Sequence, residues 1–364
     1  MSNRFGTIFS LTSFGESHGV ALGGVIDGCP PGITLDMDDI QRQMARRRPG
    51  QSALTTARQE DDSVVFLSGI HNGVTTGTPI GFYIANNNQR SDDYKEISMA
   101  FRPGHADYTY FKKYNGYNDI RGGGRSSARE TASRVVAGAV ASQILKTICP
   151  DLSITAYTHS IGDINVDGDY STFDFTNIES NPVRCPVPEI ASKMEELILE
   201  VKSEGDTVGG IVACVVKGCP VGIGEPVFDK LNARLASAMM SINAAKGIEI
   251  GMGFEGSSFR GSQKIDKWVS APEDRRGIRT ISNNSGGVQG GISNGEDIVF
   301  RVAFKPVATL LQEIDTVDAE GKNVILHARG RHDPCVVPRA VPIVEAMTSM
   351  VLLDQILLAR AHSI

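Results

Sequence analysis

Apolar and polar positions along the chain alternate in short runs, broken by a few long stretches that are apolar throughout. Residues 22–26, 63–67, 79–84, 152–161, 210–216 and 298–304 are short, rich in β-branched residues and bounded by turn residues, so they read as strands. Helices are predicted over 36–47, with Asp36 placed as an N-cap, and over 126–148, 188–202, 227–245 and 338–361. The helices 126–148 and 338–361 are apolar or small on nearly every side, which predicts central positions. The stretch 340–361 carries Pro342, Glu345, Asp354 and Arg360, so it reads as a buried helix and not a membrane span. Residues 163–186 and 312–323 read as polar surface segments, and no low-complexity tail or flexible linker stands out.

The pattern also repeats. Val25-Ile-Asp-Gly-Cys-Pro-Pro-Gly-Ile33 matches Val215-Val-Lys-Gly-Cys-Pro-Val-Gly-Ile223, each copy preceded by a strand and followed by a helix. Two strand–turn–helix units about 190 residues apart point to duplicated halves, roughly 1–200 and 201–364, packed as one pseudo-symmetric body. The expected class is α+β, a single compact domain over 1–364.

Composition narrows the function. The 364 residues are 41% hydrophobic and 21% charged, an ordinary globular mixture with net charge −6. That balance argues against nucleic acid as partner and makes the arginine clusters local features suited to a small anion. Six cysteines without a C-x-x-C pair read as reduced thiols, neither a disulfide frame nor a zinc site, and scattered histidines suggest no metal. Met1-Ser-Asn-Arg-Phe-Gly carries no apolar signal stretch, so a soluble cytoplasmic protein away from membranes is the expectation.

The densest chemistry lies in Arg121-Gly-Gly-Gly-Arg-Ser-Ser-Ala-Arg-Glu-Thr-Ala132. Glycines let a backbone approach a ligand, and a helix starting near Ser126 would aim N–H groups and its positive dipole end at an anion. Arg121, Arg125 and Arg129 add guanidinium groups, the last two on one face if both are helical. A capped helix with solvated arginines is the plain alternative. Further polar islands are Gly15-Glu-Ser-His-Gly19, Phe101-Arg-Pro-Gly-His-Ala-Asp107, Arg329-Gly-Arg-His-Asp-Pro-Cys335 and Arg46-Arg-Arg48. The last follows a helix and is open to a purely structural, dipole-related role, as a lone histidine such as His18 also is. Four loops with Arg or His beside Gly fit convergence on one multiply charged ligand. Other motifs are absent or misplaced. There is no P-loop; Gly251-Met-Gly-Phe-Glu-Gly256 is followed by loop-like sequence, and Gly15–Gly19 by a strand where a hydrolase elbow needs a helix.

Taken together, Phe14-Gly-Glu-Ser-His-Gly19, Arg46-Arg-Arg-Pro-Gly50, Phe101 to Tyr108, Arg121 to Ala132 and Gly330-Arg-His-Asp-Pro-Cys335 resemble chorismate synthase, across essentially the whole chain. The resemblance implies central helices packed between antiparallel sheets and a lyase of the shikimate pathway, serving aromatic amino acid biosynthesis. The implied reaction is a 1,4-anti elimination of phosphate from 5-enolpyruvylshikimate 3-phosphate, giving chorismate and requiring reduced FMN (FMNH2). It implies FMN contacts from Arg125, Ser126, Ser127, Asn243, Ala244, Gly290, Lys305, Pro306, Val307, Ala308, Thr309 and Arg331. Implied substrate contacts are Ser17, Arg47, Ser127 and Arg129. His18 would protonate or stabilise the departing phosphate, His105 would supply a proton to the reduced flavin, and Asp333 would assist removal of the C6 proton. Some relatives carry arginine where this chain has Ala53, a position linked to the nicotinamide cofactor, so NADPH is expected only as an indirect reductant, through an external flavin reductase. A homotetramer is implied. An NAD(P)H-dependent flavin reductase and a non-enzymatic anion-binding protein stand as alternatives.

Overall fold

The computed structural model describes residues 3–52, 54–55, 61–87, 100–119, 121–327 and 332–362. The first sheet contains β1 (Arg4–Phe5), β2 (Ser10–Gly15), β3 (Ala21–Asp27), β4 (Val64–Phe66) and β7 (Ile80–Ala85), in the order β1-β2-β3-β7-β4. The hairpin of β5 (Ile70–His71) and β6 (Val74–Thr75) interrupts it between β4 and β7. The second sheet contains β8 (Ser153–Ile161), β9 (Ile164–Asn165), β10 (Gly210–Lys217), β11 (Ala245–Ile250) and β16 (Ile298–Phe304), in the order β11-β16-β10-β8-β9. Between β11 and β16 lie the hairpins of β12 (Trp268–Ser270) with β13 (Ile278–Thr280) and β14 (Val288–Gln289) with β15 (Ile292–Ser293). All pairing is antiparallel, so each sheet offers one apolar face: Ile80, Phe82 and Ile84 of β7 and Ile298, Phe300 and Val302 of β16 are buried in strict alternation.

Those faces close over α3 (Thr131–Ile148) and α7 (Val337–His362). The first packs on β2, β3 and β7, the second on β8 and β10, and the two helices pack on each other. Apolar residues surround both helices because both sides are covered. Gly138 sets the crossing distance: a Cβ there would lie 2.3 Å from Ala346 Cβ. Helix α1 (Met37–Arg47) packs beside α3 and α5 (Leu231–Met240) beside α7; α4 (Pro188–Ser203) packs on β8 and β9 and adds Ala191, Met194 and Ile198 to the core, while α2 (Asp107–Lys113) and the one-turn α6 (Gly261–Lys264) bury no residue. Asp36 does cap α1, accepting from Asp39 N at 2.9 Å. By length and composition α7 could cross a bilayer, yet it is largely buried within this fold. Its Asp354 faces inward to accept the N–H groups of Thr7, Ile8 and Phe9 at 2.7–3.1 Å. A buried carboxylate with three donors anchors the loop between β1 and β2.

The repeated motif folds twice into one turn. After β3, Thr75 Oγ1 donates to Pro30 O at 2.7 Å and accepts from Ile33 N at 3.0 Å. After β10, Ser293 Oγ donates to Pro220 O at 2.6 Å and accepts from Ile223 N at 2.8 Å. Gly28 and Gly218 both take positive φ, at 74° and 71°, where a side chain would be strained. Since β8 and β9 join the second sheet, the sheets divide the chain near residue 150 and not near 200.

Three local expectations change. The helix expected from Ser126 begins at Thr131; residues 124–126 and 128–130 are separate 3-10 turns, split by an extended Ser127 with ψ 140°. The helix expected over 227–245 is confined to α5. The segment 312–323 holds β17 (Glu313–Val317), which pairs with β18 (Asn323–His327), and Phe173 and Phe175 of the segment 163–186 pack on Tyr157 over the outer face of the second sheet.

Candidate active site

A cavity of about 430 Å³ opens where the 3-10 turns, the ends of α1 and α7, the loop before α2 and the segment 305–309 meet. Among the described residues its lining includes five cations, Arg47, Arg102, Arg129, Lys305 and Arg339, against one carboxylate, Asp333. The cationic excess follows from how the arginines are held. Asp62, fully buried, accepts from Arg47 Nη1 at 3.2 Å and from Arg129 Nη1 at 2.5 Å. Arg47 further donates to Thr131 Oγ1 at 3.0 Å and Ala128 O at 2.8 Å; Arg129 donates to Asn86 Oδ1 at 2.7 Å. Burial would raise the Asp62 pKa, but the two guanidinium groups outweigh it and hold the carboxyl below its usual range. For Arg47 burial dominates and, with the Arg339 and Arg129 charges, pushes the guanidinium down to about 9 despite Asp62. It remains a cation at neutral pH, and a bound anion would relieve the crowding. Arg339 pairs with Asp333 and donates to Arg47 O at 3.0 Å, tying α7 to the end of α1.

Of the residues singled out from sequence, the cavity gathers Arg47, His105, Ser126, Ser127, Arg129, Asn243, Ala244, Lys305, Val307, Ala308, Thr309 and Asp333. Arg331 and Ala53 lie outside the described residues. Pro306 does not line the cavity, although its neighbours do. Gly290 sits at the tip of the β14–β15 hairpin, away from the lining. Arg125 turns from the cavity to the end of β2, donating to Ser13 Oγ at 2.7 Å and Gly15 O at 3.2 Å, so it fastens the turn to the first sheet. It shares no face with Arg129, because Ser127 breaks the helical path between them. Ser17 and His18 are buried, Ser17 Oγ lying 3.0 Å from His18 Nδ1, and neither lines the cavity. His18 packs behind Gly122, where a Cβ would fall 2.1 Å from its Nδ1.

Sequence reasoning missed Asp62, Asn86, Arg102, Asp107 and Arg339. Arg102 and Asp107 stood inside a quoted motif and could have been found there. Asp62 and Arg339 carry no local signal, since their partners lie far along the chain.

The lining suits a flavin. Asn243 donates through Nδ2 to Ser126 O at 2.9 Å, while its Oδ1 is buried without a hydrogen-bond partner. A buried acceptor left open on a cavity wall fits a ring N–H. Lys305 stands on the same wall, its pKa lowered by burial and by Lys246.

Five cations against one carboxylate make this a cavity suited to small anionic ligands. A chorismate synthase family model matches residues 9–357. The chorismate synthase of Parabacteroides distasonis is 59% identical over 360 residues, 99% of each chain. That of Christiangramia forsetii is 58% identical over 362 residues, 100% of this chain and 99% of the relative. A solved structure titled "Crystal Structure of Chorismate Synthase" superposes with TM-score 0.76 at 31% identity, covering 98% of this chain and 93% of the other. The chain belongs to the chorismate synthase family, and it is a lyase.

Proposed function

We propose that this chain converts 5-enolpyruvylshikimate 3-phosphate to chorismate by 1,4-anti elimination of phosphate, with reduced FMN, on the route to aromatic amino acids. The carrying observation is the cavity itself: five cations around one carboxylate, two of them fixed by the buried Asp62. Substrate and flavin together bring two phosphates and two carboxylates, which such a cage offsets. Arg47, Arg129 and Ser127 hold the substrate. Ser126, Asn243, Ala244 and the 305–309 segment hold the flavin. Reduced FMN, when bound, supplies transient electron donation that eases C–O cleavage. Of the groups assigned to proton transfer, His105 and Asp333 stand on the wall, Asp333 held there by Arg339. His18 is proposed to act on the departing phosphate, although it is buried against Gly122 and does not line the cavity.

The chain acts as one domain of two pseudo-repeated halves, in the cytoplasm, as a homotetramer, with reduced flavin delivered by a separate reductase. Anaerobic assay with dithionite-reduced FMN tests the activity: chorismate should accumulate from the phosphorylated substrate without net flavin oxidation. NAD(P)H consumption without that substrate would instead identify a flavin reductase. Phosphate binding without turnover would identify an anion-binding protein.

A further inference from the structure

His105 stands on the cavity wall, and two residues close to it in sequence, Arg102 and Asp107, determine what it can do there. Its Nδ1 lies 2.5 Å from Asp107 Oδ1. A ring nitrogen and a carboxylate oxygen at that separation share a proton, so Nδ1 is the protonated nitrogen. Arg102 grips the same carboxylate, Nε to Oδ2 at 2.7 Å and Nη2 to Oδ1 at 2.8 Å, with its backbone N–H donating to Oδ2 at 3.1 Å. Nη2 also lies 2.9 Å from Nδ1. Both nitrogens carry hydrogen, so this contact sets a cation against the ring and is no second bond. Arg102 is itself fixed, Nη1 donating to Thr309 Oγ1 at 3.1 Å.

A carboxylate alone beside an imidazole favours the imidazolium. Here the guanidinium matches the carboxylate's charge while leaving its hydrogen bond to the ring. The charged groups acting most strongly on the ring are Arg102, Asp107 and, from the 305–309 segment, Lys305. Burial, with Arg102 and Lys305, outweighs Asp107 and lowers the His105 pKa. Asp107 is driven far below the usual carboxylate range, because hydrogen bonds from Arg102 and His105 overcome its burial.

We propose that Asp107, clamped by Arg102, is a positioning residue that holds His105 as the neutral Nδ1–H tautomer and presents Nε2 to the bound ligand as an acceptor. The inference rests on the active-site reading above and gives His105 a direction. Any proton His105 delivers is one that Nε2 has first taken from ligand or water, and the ring returns to neutral when it leaves.

Nitrogen-15 NMR of the intact protein labelled at histidine tests this at pH 7, without flavin or substrate. The His105 signals, identified by their loss in His105→Gln, should show a protonated Nδ1 and a bare Nε2. Asp107→Asn turns an NH2 group onto these donors. It should lose that tautomer, lower kcat by roughly 10²–10⁴ with KM changed less than about threefold, and move the acid limb of the pH–rate profile. Asp107→Glu keeps a carboxylate and should restore the tautomer and much of kcat. A wild-type ring found as imidazolium or as the Nε2–H form overturns the proposal, as does a wild-type tautomer in Asp107→Asn. Normal turnover by His105→Gln would overturn the role at the ligand and the active-site assignment of this residue, while leaving the tautomer standing, so the two failures are distinguishable.

Discussion

Asp62→Asn removes one charge and almost no volume at the point where the cavity's arginines are held. Asp62 has a φ of 52°, a conformation asparagine also tolerates, so backbone strain is not introduced. The variant leaves Arg47 and Arg129 buried without their shared anion and turns an NH2 group toward one of the two guanidinium donors, while its oxygen still accepts from the other. Breaking a buried ion pair from one side costs about 3–5 kcal/mol. Both arginines keep other acceptors, Thr131 Oγ1, Ala128 O and Asn86 Oδ1, which places the expected loss at the low end, about 3 kcal/mol or roughly a hundredfold in the unfolding equilibrium. With an m-value of about 3 kcal/mol/M in urea, the midpoint should fall by about 1 M. The pH dependence has a definite sign. Because Asp62 titrates below its unfolded value, its contribution is complete above the ordinary carboxylate pKa of about 3.9 and is lost as pH falls through the depressed folded value. The gap between wild type and variant should therefore be full at pH 7 and shrink below about pH 4. Inorganic phosphate should stabilise the variant more than the wild type, since a bound anion replaces the missing charge. A midpoint within roughly 0.2 M of wild type at pH 7 would refute this account of how the arginines are held.

Gly138→Ala should gain about 1 kcal/mol of helix propensity and lose more to the Ala346 contact, a net loss of about 1–2 kcal/mol in thermal or urea unfolding. A stabilised variant would mean that α3 and α7 can separate freely. Thr75→Val and Ser293→Ala each strip the same two hydrogen bonds from a repeated turn, so each should cost about 1–3 kcal/mol by urea unfolding. A large loss for one and none for the other would argue against equivalent halves.

The sequence by itself determined much of this protein. Period-two alternation and β-branched runs mark β3, β7, β8, β10 and β16, and Asp36 marks the start of α1, because such signals act within a few residues. The duplicated Gly-Cys-Pro-x-Gly-Ile turn was legible for the same reason: its glycines and proline answer a local backbone demand, though the hydroxyl that closes each copy comes from a distant hairpin. The family resemblance also lay in contiguous motifs, and through them most of the cavity's lining. What the tertiary structure decided were the long-range pairings. Nothing near Asp62 announces that it will join Arg47 to Arg129, or near Arg339 that it will reach Asp333 and the end of α1. Helical pattern alone ran the helix back to Ser126. The fold instead pulls Arg125 to β2 and Arg129 to Asp62, and a chain drawn in two directions breaks at Ser127. Charged side chains settle where burial leaves them a partner, and which partners are available depends on the assembled fold.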